Sequence, residues 1–178
     1  MYGKIGLEEH FAIPDTLGGS LLYFTGEQDL RTMRLLDLVD LRLEQMDEHG
    51  MDMMIMSLNS PAIQSMPDKD EAAAIARKAN DELAQAIAAH PDRFRGFAAL
   101  PLQDPQLAIE ELHHAIDDLG FVGVLANGYS QIGDEGTYLY LDDESYRPFW
   151  AEMEKMDVPF YLHPREPMPE NAHTCLLY

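Results

Sequence analysis

The sequence predicts an α/β protein whose core is a parallel sheet. Three observations carry this. Short apolar runs alternate with longer segments of helical period, in the order strand, helix, strand, helix. Helix signals punctuate the chain: Asp68 and Asp104-Pro105 stand before helical segments, and Gly50 and Gly120 stand after them. Polar residues gather where the strands end, at Glu8, His10, Asn59, Asn127 and His163. That edge carries the functional groups in barrels and in doubly wound sheets.

Residues 4–7 form the first strand and run into Glu8-Glu9-His10. Alternation places Glu8 and His10 on one face and Glu9 on the other. A carboxylate beside an imidazole is half of a divalent-metal site; it is equally the polar end of an exposed strand. The loop 11–26 is long for a plain connection. From it Tyr23 and Phe24 either cover a ligand or pack on the rim. A helix spans about 32–49, with Leu36, Val39, Leu43 and Met46 as its apolar stripe. The methionine-rich run 51–58 is the second strand, ended by Asn59-Ser60-Pro61.

The alanine-rich helix 69–90 follows, broken by Pro91-Asp92, and then a third strand at 94–100. The third helix runs from Asp104-Pro105 to about Leu119, with His113 and His114 as surface or packing residues. A fourth strand, 121–126, ends in Asn127-Gly128, and a polar loop extends to about 143. The helix 144–156 has Tyr146, Phe149, Trp150 and Met153 on its apolar side, and the strand 158–162 leads into His163. The nearly continuous apolar strands predict a sheet covered on both faces. Asn59 and Asn127 either bind substrate or form turns. His163 is either a core histidine or a counterpart to Glu8 and His10.

Composition bounds the rest. A chain of 178 residues, 46% apolar and 25% charged, is one ordinary globular unit. Its formal net charge of -20 repels phosphate backbones and anionic bilayers, so nucleic acid and membranes are not expected partners. Cys175 is the only cysteine, which excludes an intrachain disulfide and fits a reducing compartment. No apolar run approaches the roughly 20 residues of a membrane span, and the N-terminus lacks a signal-peptide core. The cytoplasm is the expected location.

Several longer stretches together carry a resemblance. They are Gly3-Lys4 with Leu7 through Pro14, Ser57 through Ala62, Pro91 through Phe94, and Phe97 through Pro105. Leu119 through Gly123, Tyr146 through Trp150 and Pro159 through Arg165 continue the series. With these the chain resembles the hydroxybenzoate decarboxylases of the amidohydrolase superfamily, the group of the gamma-resorcylate and 2,3-dihydroxybenzoate decarboxylases. The resemblance implies a (β/α)₈ TIM-type barrel and one divalent metal ion, Zn²⁺ or Mn²⁺. It implies metal ligands at Glu8, His10 and His163, and Tyr23 near an aromatic that covers the substrate ring. It implies a carboxy-lyase acting on a small aromatic carboxylic acid, and a homo-oligomer at full length.

Such a barrel takes about 250 residues. Residues 1–178 supply about five of eight strand–helix units, the N-terminal portion of a metal-dependent amidohydrolase-like barrel. The family's later histidine and final aspartate have no counterpart, and no residue is singled out as the proton donor. A truncated decarboxylase is therefore the expectation. A hydrolase of the same superfamily and a non-catalytic fragment are the alternatives.

Overall fold

The computed structural model describes residues 3–18, 28–134 and 136–165. Its strands, in chain order, are β1 (Ile5–Phe11), β2 (Met53–Leu58), β3 (Phe94–Ala98), β4 (Gly123–Ala126), β5 (Ser130–Gln131), β6 (Tyr138–Leu139) and β7 (Phe160–Leu162). The helices are α1 (Gln28–Leu36), α2 (Asp40–His49), α3 (Lys69–Ala89), α4 (Pro105–His113) and α5 (Arg147–Met156). Strands β1, β2, β3, β4 and β7 form one parallel sheet in that spatial order, and β5 and β6 form a small antiparallel hairpin. Each sheet strand lies beside the next in sequence with no reversal. A doubly wound sheet reverses its order at a switch point, so this is the wall of a half-barrel.

One face of the wall packs on helices, and the other is buried in its middle, at Ser57, Phe97 and Leu125, and exposed at Ile5. On β2, Met54, Met56 and Leu58 are buried against the helices, whereas Met53 and Ile55 are half-buried. The expectation of burial on both faces holds for β4, all of whose residues are buried, and not for the edge strands β1 and β7. Helix α3 lies close because it turns small residues inward: Ala72, Ala76 and Ala79 are fully buried, with Leu83 one turn on. Phe94, Leu112, Val124, Phe149 and Met153 complete this layer. Fully burying each large apolar side chain contributes roughly 1.5–3 kcal/mol.

The caps behave as the sequence implies. Asp68 Oδ1 accepts from the backbone N–H groups of Asp70 and Glu71 at 2.9 Å, and Asp104 Oδ1 accepts from those of Gln106 and Leu107. Gly50 closes α2 at a left-handed φ of 64°.

Three boundaries differ from expectation. The single helix of 32–49 is two, α1 and α2. Asp37 breaks it, its side chain accepting from the Leu41 N–H at 3.0 Å as a local cap. The third helix ends as α at His113 and continues as a π-turn over His114–Asp118. The polar loop after β4 contains the hairpin of β5 and β6, whose strands are too short to show a period.

A polar belt ties the helices to one another. Buried Glu111 accepts from Arg77 Nε at 2.6 Å and from Asn80 Nδ2 at 2.7 Å. Asn80 also clamps Ala99 through both its N–H and its C=O. His113 sits between Asp117 (2.7 Å) and Glu152 of α5 (3.0 Å). His114 sits between Asp118 (3.1 Å) and Asp81 of α3 (2.9 Å). Among the described residues no helix is long and apolar enough to cross a membrane.

Candidate metal centre at the strand ends

The register of β1 decides how its polar residues are aimed. Gly6 pairs with Met54 and Glu9 with Met56, so β1 carries one residue more than β2 over this span. That is a β-bulge, with Leu7 and Glu8 filling the stretch opposite Ile55. Past it Glu9 turns to the helix side. There it lines a cavity of about 190 Å³ with Arg34, Leu35, Arg42 and Gln45. A Cβ at position 6 would stand 2.5 Å from Glu9 Oε1 and 2.8 Å from its Cγ, so glycine lets Glu9 fold over the strand.

Glu8 and His10 face the concave side. His10 Nδ1 lies 3.0 Å from Ser57 Oγ on β2, and the His10 carbonyl accepts from Arg42 Nη2. At the other end of the sheet His163 continues β7, its N–H donating to the Ala126 carbonyl at 3.0 Å. The two imidazoles meet edge to face, with centroids 5.0 Å apart and planes at 79°. His163 Nδ1 is buried and has no hydrogen-bond partner among the described residues. Polar atoms so placed are few in native folds and call for a partner of another kind.

The Glu8 carboxylate faces the Tyr161 hydroxyl and pushes the phenol pKa up. Tyr161 in turn stacks on Phe97 at 5.9 Å. Burial pushes the His10 imidazole below its ordinary range and His163 adds to the effect, outweighing Glu8, which acts the other way. A neutral imidazole keeps a lone pair to give.

One carboxylate and two imidazoles form a donor set of the kind that takes Zn²⁺ or Mn²⁺, and the orphaned His163 nitrogen fits that use. As placed, no three His, Cys, Asp or Glu side chains among the described residues form a group ready to hold an ion. The two rings converge, while Glu8 is turned to Tyr161.

The remaining candidates stand as follows. Asn59 is buried and engaged with Thr16: it accepts from Thr16 Oγ1 at 2.8 Å and donates to the Thr16 carbonyl at 3.0 Å. Asn127 Nδ2 donates to the Asn59 carbonyl at 3.2 Å, and Asn127 Oδ1 is buried without a partner among the described residues. Tyr23 lies outside the described residues. Sequence reasoning passed over Ser57 and Arg42. Both left a signal. Ser57 interrupts a run of apolar strand residues, and Arg42 sits on the apolar stripe of its helix between Val39 and Met46.

Comparison with known proteins places the fold. The model of the family described as "Amidohydrolase" matches residues 33–175. The gamma-resorcylate decarboxylase of Rhizobium sp. (strain MTP-10005) is 58% identical over 174 residues, 97% of this chain and 53% of the relative. That of Rhodococcus jostii (strain RHA1) is 56% identical, over 97% of this chain and 54% of the relative.

Among solved structures, a 2,6-dihydroxybenzoate decarboxylase complexed with 2,6-dihydroxybenzoate superposes with a TM-score of 0.92 at 56% identity. The match covers 98% of this chain and 54% of that one. The dihydroxybenzoic acid decarboxylase of Polaromonas sp. JS666, solved with manganese and the inhibitor 2-nitroresorcinol, gives 0.92 at 50% identity, over 98% and 53% of the two chains. The chain thus spans about half the length of the curated relatives it matches, and the half-barrel wall is part of their TIM barrel. With the family model covering most of its length, the chain belongs to the amidohydrolase family.

Proposed function

We propose that residues 1–178 form the N-terminal portion of a metal-dependent barrel that decarboxylates a 2-hydroxybenzoate-type aromatic acid without oxidation. The observation that carries this reading is the convergence of His10 and His163 from opposite ends of the sheet, beside Glu8. Relatives whose names specify gamma-resorcylate and 2,6-dihydroxybenzoate support the substrate class.

In this reading Glu8, His10 and His163 hold the ion. Bound Zn²⁺ or Mn²⁺ supplies charge neutralisation and orientation for the substrate carboxylate and its neighbouring phenol oxygen. The chain's own residues do the rest of what is assigned to it. Ser57 holds the His10 ring, Tyr161 holds the Glu8 carboxylate, and Asn127 presents Oδ1 at the same sheet edge. Tyr23, which lies outside the described residues, is assigned to the substrate ring by the resemblance alone. A proton reaches the ring carbon that bears the carboxylate, the bond to the carboxylate breaks, and CO₂ leaves. The residue that delivers the proton is not assigned. Manganese is the metal present in three of the related structures, and the reading places the enzyme in the cytoplasm.

The test is elemental analysis of the purified chain, followed by CO₂ release from 2,6-dihydroxybenzoate with Mn²⁺ or Zn²⁺ supplied. About one divalent ion per chain is expected. An ion-free chain without CO₂ release overturns the reading for these residues. Turnover of a lactone or amide instead replaces it with a hydrolase of the same family.

A further inference from the structure

His10 is gripped twice, by residues on two different elements. Ser57 is its register partner on β2, is fully buried, and reaches Nδ1 with its hydroxyl at 3.0 Å. Arg42, on α2, is 9% exposed and reaches through the helix layer to the His10 carbonyl. Arg42 is itself fixed, because its Nε donates to the Asp37 carbonyl at 2.7 Å. The break between α1 and α2 thus places a guanidinium under the end of β1. His163 has no such hold on its ring: its Nδ1 has no partner among the described residues.

Which nitrogen of a histidine can ligate is settled by what holds the other. A hydroxyl at Nδ1 accepts from Nδ1–H as readily as it donates to a bare nitrogen. Accepting leaves the lone pair on Nε2, the nitrogen that Ser57 does not engage. We propose that Ser57 and Arg42 are positioning residues for His10. Ser57 holds the ring in its Nδ1–H form with Nε2 as the donating nitrogen, and Arg42 fixes the strand end that carries it. The proposal rests on the metal-site reading above, and two separate readouts keep the two apart.

The first readout is the ¹⁵N spectrum of the histidine side chains in the metal-free 178-residue chain. Wild type is expected to show His10 protonated at Nδ1, and Ser57→Ala to show it moved to the Nε2–H form usual for unconstrained imidazole. The second is Mn²⁺ affinity by titration calorimetry. Ser57→Ala is expected to weaken binding by roughly 10–100-fold, the usual effect of losing a ligand-orienting hydrogen bond. Arg42→Lys keeps the charge but not the planar fork, and is expected to weaken binding while leaving the tautomer unchanged.

An unchanged tautomer with unchanged affinity in Ser57→Ala overturns the role of Ser57. Wild-type affinity in Arg42→Lys overturns that of Arg42. A wild-type chain that binds no Mn²⁺ overturns the metal reading instead, and the tautomer then decides Ser57 by itself.

Discussion

The convex and concave faces of the same five strands are built by different rules. On the convex side, Met54, Met56, Phe94 and Val124 belong to one buried apolar cluster with residues of the helices. On the concave side, Glu8, His10, Ser57, Tyr161 and His163 meet one another, and Tyr161 and His163 are only half-buried. A backbone shared by both faces lets the packed side hold the strands still while the other holds reactive groups. Stability and chemistry therefore respond to different substitutions.

The largest effect is expected on the convex side. Phe149 is fully buried among Tyr146, Trp150 and Phe160. Phe149→Ala is expected to cost about 3–5 kcal/mol in urea unfolding. His163→Ala on the concave side is expected to leave the unfolding free energy within about 1 kcal/mol of wild type, while abolishing Mn²⁺ binding. A large loss of stability in His163→Ala breaks the contrast.

Gly123 tests whether the concave face is tolerant everywhere. A Cβ there would stand 2.9 Å from the Phe97 ring and 2.9 Å from the Pro159 carbonyl. Gly123→Ala is expected to cost about 1–3 kcal/mol by overpacking, a concave-face change with a convex-face cost. Asn80→Ala, within the helix layer, leaves Glu111 and the Ala99 backbone short of partners. A cost of about 1–3 kcal/mol in the same assay is expected.

The smallest effect is set by pH. Asp117, the main cause, and Glu152 hold His113 above its usual pKa, with burial opposing them. At His114 burial works downward, and Asp81 and Asp118 outweigh it. Lys155 on Glu152 and Arg77 near His114 are the cations facing this cluster. A folded pKa above the unfolded one gives stability that is complete below about pH 6.5 and is lost as pH rises through the folded pKa. The melting temperature is expected to fall slightly across that window, and the His113→Ala, His114→Ala double variant to flatten the fall. An equal slope in both proteins removes the histidines from the account.

Much of this was legible in the sequence. The strand–helix alternation, the Asp68 and Asp104 caps and the clustering of polar residues at strand ends depend on neighbours in the chain. What was not legible depends on partners far away or on lengths too short to show a period. The split at Asp37 is one hydrogen bond to the Leu41 N–H. The β5–β6 hairpin pairs only Ser130 with Leu139 and Gln131 with Tyr138. The roles of Ser57 and Arg42 exist only once His10 is beside them. Burial on both faces holds along β4 and fails at β1 and β7, because apolar strand composition does not say which strands stand at the edge.

The extra residue in β1 has a consequence for how the strand tolerates change. A strand is a two-beat alternation, and a single insertion ordinarily inverts the parity of everything beyond it. Here the beat is already broken once, between Gly6 and Glu9. The stretch before the break and the stretch after it keep separate phases. The pairing of Ile5 with Met53 and the aim of His10 are thus decoupled. Drift in length at positions 7 and 8 can be absorbed at the break, while His10 keeps its phase against Ser57.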